Sequence, residues 1–125
     1  MTAVPPLERK IELADMIAYA GATWDWHRLH YDPSYLAERG LDAPVVDGQM
    51  FGALLAAQVQ DWLGPGWELT GLHFRFRSLV FAGETVRCLG EVTAESDDEI
   101  TVALRIEADG RVAVAPAGAV LRRRG

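Results

Sequence analysis

Gly48-Gln49-Met50-Phe51-Gly52-Ala53-Leu54-Leu55-Ala56-Ala57-Gln58-Val59-Gln60-Asp61-Trp62-Leu63 is the longest helical stretch in the sequence, and its reading decides the fold. Met50, Phe51, Leu54, Leu55, Val59 and Trp62 are apolar, and the small residues Gly52, Ala53, Ala56 and Ala57 fill the spaces between them. A helix that is apolar on most of its sides is enclosed rather than laid on a surface. Gly64-Pro65-Gly66 stops it. Immediately afterwards the period becomes two. Leu72, Phe74 and Phe76 alternate with His73, Arg75 and Arg77, the pattern of a half-buried strand. Thr85 to Thr93 and Ile100 to Ile106 follow as strands, split by a turn at Ser96-Asp97-Asp98. Asp109-Gly110 is a two-residue hairpin signal leading into Val112 to Leu121. The prediction is an α+β fold, an antiparallel meander wrapped round one long helix.

Upstream of that helix the signals are shorter. Leu13, Met16, Ile17 and Ala20 fall on one helical face, with Gly21 as the expected C-cap. Asp32-Pro33 opens a second short helix through Ala37, with Asp32 as N-cap, Pro33 at the first helical position and Gly40 closing it. Residues 1–6, with Pro5-Pro6, read as a loose lead-in, and Arg122-Arg123-Arg124-Gly125 as a frayed basic tail.

Length and composition bound what this fold can do. The 125 residues suit one domain spanning 1–125, and 50% hydrophobic with 24% charged residues is an ordinary globular balance. Twelve basic residues against eighteen acidic ones leave a net charge of −6, which disfavours nucleic acid as a partner. A single cysteine, Cys88, excludes an internal disulfide framework and a Cys-rich zinc site. In its strand it reads as a small buried apolar residue rather than a nucleophile. No apolar run approaches the ~20 residues of a membrane span, and the first residues lack a signal-peptide core. The expected setting is the cytoplasm.

Chemistry concentrates in Trp24-Asp25-Trp26-His27-Arg28-Leu29-His30-Tyr31-Asp32, between the first two helices. Asp25 and His30 are too far apart for one helix face but can converge in a loop on one water. The carboxylate accepts a proton while the imidazole orients or relays. The same residue types also serve as turn formers or simply face solvent. His27 and His30 lack the i, i+4 spacing of a helical metal pair, so no metal is expected.

This segment does not stand alone. Ala20 through Leu41, followed by Val45-Val46-Asp47-Gly48-Gln49-Met50, resembles the MaoC-like, (R)-specific enoyl-CoA hydratase family, whose pattern is Gly-Asp-x-Asn-Pro-x-His-x-Asp, a short helix, and His-Gly opening the central helix. The resemblance continues at Phe76-Arg77-Ser78-Leu79-Val80-Phe81-Ala82-Gly83-Glu84-Thr85, close to that family's Phe-x-x-Pro-Val-x-x-Gly-Asp-Thr. It implies the hot-dog fold. It also implies reversible syn addition of water to a trans-2-enoyl-CoA, giving a (3R)-3-hydroxyacyl-CoA. The family's catalytic aspartate falls on Asp25 and its histidine on His30. Gly48 matches the glycine whose N–H receives the thioester oxygen, a role suited to the unpaired N–H groups of a helix N-terminus. No cofactor or metal is implied. A partner is: hot-dog domains share the site across a dimer, here a homodimer or a heteromer with a second MaoC-like chain.

Three positions depart from the family pattern. His27-Arg28 stands where the pattern has Asn-Pro, Asp47 where it has His, and Leu79 where it has Pro. Asp47 is a candidate substrate-binding residue that also fits a helix cap, and if it pointed inward its charge would oppose an enolate. Such departures resemble the short subunits of heteromeric hydratases for bulky, steroid-derived acyl groups. Trp24, Trp26, Trp62 and Trp67 are candidates for an acyl tunnel or an interface. Arg75 and Arg77 on one strand face, with Arg111 after the hairpin turn, are candidates for the phosphates of CoA. Two other functions fit the same fold. One is a non-catalytic or acyl-binding partner subunit. The other is an acyl-CoA thioesterase, for which the central helix supplies only Asp61, at the end far from Gly48.

Overall fold

The computed structural model describes residues 2–125. Five strands form one antiparallel sheet: β1 (Ala3–Lys10), β2 (Trp67–Phe76), β3 (Thr85–Glu95), β4 (Glu99–Ala108) and β5 (Arg111–Arg123), in the order β1-β3-β4-β5-β2. Helices α1 (Leu13–Thr23), α2 (Pro33–Glu38) and α3 (Gly48–Leu63) precede β2, with a 3₁₀ turn at Arg28–His30. This is the hot-dog arrangement that the sequence predicts, with α3 against β1, β2 and β3. Leu55 and Val59 on α3 are sealed against Val86, Ile106, Val114 and Leu121 of the sheet. Among the described residues, no helix is long and apolar enough to cross a membrane.

The turn chemistry follows the sequence closely. The central helix starts at Gly48 and ends at Leu63, as its composition dictates. Asp32 caps α2 by accepting from the N–H groups of Ser34 and Tyr35, with Pro33 leading the helix. Asp109 and Gly110 both take positive φ, 53° and 77°, as a tight hairpin of this type demands.

Three expectations need correction. The lead-in expected over residues 1–6 is not loose where it is described, Met1 lying outside the described residues. Ala3 to Lys10 is an edge strand on β3, with Val4 buried. Prolines are tolerated there because an edge strand can leave positions unpaired, and the register shifts between Val4 and Leu7, around Pro5-Pro6. Gln58 pins this strand down: its side-chain amide donates to the carbonyls of Pro5 and Cys88, at 3.1 and 3.0 Å. The C-terminal arginines are not frayed either. β5 runs through Arg123, Arg122 pairs with Glu99 at 2.9 Å, and Arg123 lies over the Trp67 ring. Finally, α1 does not stop at Gly21. It continues to Thr23 and ends on Trp24, which takes the left-handed conformation (φ 58°). Its expected apolar face is split as well: Met16 and Ala20 are buried, whereas Leu13 and Ile17 are exposed.

Candidate active site

The left-handed turn at Trp24 reverses the chain out of α1. The N–H groups of Trp24 and Asp25 both reach back to the carbonyl of Ala20. Asp25 is thereby set just beyond the end of α1. His27, where the family pattern has Asn, takes over an asparagine-like task. Its Nδ1 accepts from the N–H of Leu29 at 3.0 Å and so caps the 3₁₀ turn that carries His30.

His30 is fixed from the opposite side. Its Nδ1 lies 2.7 Å from the carbonyl oxygen of Val45, and the N–H of Val45 donates to the carbonyl of Leu29 at 3.1 Å. Val46 continues this anchoring by donating to the carbonyl of Val80. A carbonyl can only accept, so Nδ1 carries the proton and, in the neutral ring, Nε2 is left with the lone pair.

That Nε2 faces Asp47. One oxygen of Asp47 accepts from the N–H of Gln49 at 3.0 Å and caps α3; the other lies 4.0 Å from Nε2. Asp25, His30 and Asp47 each bring one donor atom to within 4.8 Å of the others. Among the described residues, no other group of His, Cys, Asp or Glu side chains meets this closely in threes. Tyr19 of α1 belongs to the same neighbourhood. Burial raises its hydroxyl above the ordinary tyrosine pKa, and the charges of Asp47 and Asp25 add to the rise. Sequence reasoning missed Tyr19, since a single tyrosine within a helix carries no local signal of what it will face.

Gly48 opens α3 with an N–H that has no partner inside the helix. The absent side chain matters as well. A Cβ at Gly48 would overlap the tip of the Phe76 ring. His30, Gly48, Phe51, Phe76 and Arg77 are among the residues lining an otherwise apolar cleft of about 360 Å³. Phe76 is 58% exposed, so the last ring of the predicted alternation serves the cleft rather than the sheet core. The arrangement therefore combines an apolar trough, a helix N-terminus and a histidine with a directed lone pair. It can bind an acyl group, receive negative charge on a carbonyl oxygen and move a proton.

The remaining expected site residues are spread more widely. Trp24 is 80% and Trp26 43% exposed, and neither lines the cleft. They pack edge to face on each other, and Trp26 does the same on Tyr31. Trp62 and Trp67 are half-buried against the core. Arg77 lines the cleft while its Nε donates to the carbonyl of Ala115, and Arg75 stands exposed on β2. Arg111 is engaged structurally, pairing with Glu84 and donating to the carbonyls of Leu79 and Ala108. Asp61 lies exposed near the C-terminal end of α3.

Comparison with known proteins agrees with the fold. Residues 2–111 match the family model described as MaoC like domain. An (R)-specific enoyl-CoA hydratase of Aeromonas caviae is 29% identical over 119 residues, covering 93% of this chain and 89% of that protein. The crystal structure of the A. caviae (R)-hydratase involved in PHA biosynthesis superposes with a TM-score of 0.89 at 28% identity, covering 98% of this chain and 95% of that one. A chain of the ChsH1-ChsH2 complex of Mycobacterium tuberculosis superposes with a TM-score of 0.90 at 27% identity, covering 98% and 96%.

Proposed function

The chain belongs to the MaoC-like domain family, and from that membership and the geometry of its cleft we propose that it is an enoyl-CoA hydratase. It adds water reversibly to a trans-2-enoyl-CoA to give a (3R)-3-hydroxyacyl-CoA. The observation that carries this reading is the convergence of Asp25 on His30 and Asp47 beside the N-terminus of α3, with His30 and Gly48 lining the cleft and Asp25 lying outside its lining. Asp25 and His30 hold the water and accept its proton as oxygen bonds to the β-carbon. The thioester oxygen takes up the enolate charge at the Gly48 N–H and the positive end of the α3 dipole. The pair then returns a proton to the α-carbon. Arg77 at the cleft and Arg75 on β2 supply local positive charge for the phosphates of CoA within an acidic protein. No step uses a cofactor or a metal.

A second MaoC-like chain, identical or different, completes the working unit. Support comes from the likeness to a chain of the ChsH1-ChsH2 complex. A second feature in favour is the pair of exposed apolar side chains Phe76 and Leu79, both among the cleft's lining residues, which suit cover by another subunit. The departures at His27-Arg28, Asp47 and Leu79, which resemble the short subunits of hydratases for bulky acyl groups, favour an acyl group bulkier than a short linear chain.

The test follows the absorbance of the conjugated double bond as purified protein, alone and with candidate MaoC-like partners, is given enoyl-CoA substrates. Hydration removes that absorbance, and Asp25→Asn and His30→Ala suppress the loss by about 100-fold or more each. Release of free CoA thiol instead would make the protein a thioesterase. Substitutions that leave turnover intact would move the site elsewhere or make this chain a non-catalytic partner.

A further inference from the structure

We propose that Asp47 is a positioning residue for His30: its carboxylate steadies the positive charge His30 acquires as it takes the proton of the attacking water. The inference rests on the hydratase reading above and assigns Asp47 a task beyond substrate contact and helix capping.

The geometry separates the two oxygens of Asp47. One is committed to the N–H of Gln49 at 3.0 Å, which orients the carboxyl group. The other is aimed at His30 Nε2 from 4.0 Å, and both side chains are largely buried, 13% and 14% exposed. Because Nδ1 of His30 donates to Val45, Nε2 is the nitrogen that must accept the proton. At 4.0 Å, Asp47 makes no hydrogen bond to it and leaves the lone pair available. Once protonated, the ring lies between a fixed carbonyl on one nitrogen and a carboxylate near the other, an attraction that burial keeps from being screened away. A carboxylate that fixes and charges a catalytic imidazole in this way acts through the histidine and does not itself change protonation state.

The bookkeeping of the step is complete with the residues named. With Asp25 and His30 holding the water, its oxygen bonds to the β-carbon as one of its O–H bonds breaks, and that proton goes to Nε2. The π electron pair moves to the α-carbon and the thioester oxygen, which Gly48 receives. His30 then gives the proton to the α-carbon and returns to neutrality, so one water has been added and nothing else consumed. Asp47 favours the ion-paired intermediate state over the ground state. This also resolves its charge: it faces the imidazolium that forms together with the enolate.

Asp47→Asn separates this role from capping, because the asparagine oxygen still accepts from Gln49 N–H while the charge is gone. Expected are an unchanged Tm, a KM within about twofold of wild type and a kcat lowered by about 10-fold or more. Asp47→Ala loses cap and charge together, so both Tm and kcat fall. A kcat for Asp47→Asn equal to wild type, or an effect confined to KM, would overturn the inference while leaving the hydratase reading intact. Absence of enoyl-CoA turnover by the wild type, alone and with partners, would instead remove the reading on which it rests.

Discussion

His30 and Val45, fifteen residues apart, are joined by a 2.7 Å hydrogen bond from the imidazole Nδ1 to the backbone carbonyl. A side chain that was only a turn former would have no reason to be held this way. The bond fixes both the tautomer and the direction of the remaining lone pair. In the neutral ring the proton therefore resides on Nδ1. Nitrogen-detected NMR of the histidine rings checks this: His30 shows the Nδ1–H pattern. The Nε2–H pattern, usual for free histidine, would contradict the orientation.

A side chain at Gly48 must displace the Phe76 ring, whose tip an added Cβ would overlap. Gly48→Ala is expected to lower stability by about 1–3 kcal/mol, typical of overpacking, and to cost activity by shifting the N–H. Trimming the ring relieves the clash, so adding Phe76→Leu recovers much of the Tm. Thermal melts of the single and double variants decide it.

The N-terminal strand is a structural part of the sheet. Removing residues 1–9 strips Val4 from the core and leaves Gln58 without one of its two carbonyl partners. Gln58→Leu unmakes both bonds at once, at a cost of about 1–3 kcal/mol. Denaturant melts of both variants should show lower midpoints, and a truncated chain as stable as the full one would refute the role given to β1.

Cys88 is fully buried on β3, and burial pushes its thiol up to about 12, with Arg9 opposing the shift weakly. The native thiol is therefore neutral at physiological pH and resists alkylation until the protein unfolds. The sign of the pH effect follows from the raised value. The unfolded thiol ionises near 8.5 and the native one near 12. Stability from this group is thus complete below about pH 8.5 and declines as pH rises toward 12, at up to about 1.4 kcal/mol per unit. Cys88→Ala flattens that part of the alkaline stability profile, whatever it costs in packing.

The chemistry assigned to the cleft needs no metal. Hydration by the purified protein should accordingly be unchanged after treatment with a chelator and removal of the small molecules. Loss of turnover restored by one particular divalent ion would require a different mechanism.

How much of this was legible in the sequence depended on how local each cause was. The bounds of α3, the Asp32 cap and the Asp109-Gly110 turn were readable because a few adjacent residues determine each of them. β1 was not. Pro5-Pro6 reads as a breaker, and only the unpaired edge and the shifted register make room for it. The end of α1 was misread because Gly21 offered a ready cap, whereas the chain reverses at Trp24. Within the candidate site, Asp25 and His30 are singled out by residue type and, with Gly48, by the family pattern. The approach of Asp47 to His30, and of Tyr19 to both aspartates, depends on packing α1, the loop and α3 together. No local pattern encodes a contact of that kind.

Gly48 and Gly52 lie one helical turn apart, and each leaves a space that an aromatic ring from β2 occupies, Phe76 over the first and Phe74 over the second. Two such pegs oppose rotation of α3 about its own axis. The seat of the first N–H groups is thus tied to β2, and whatever meets this helix N-terminus at the cleft also meets a ring that belongs to the sheet.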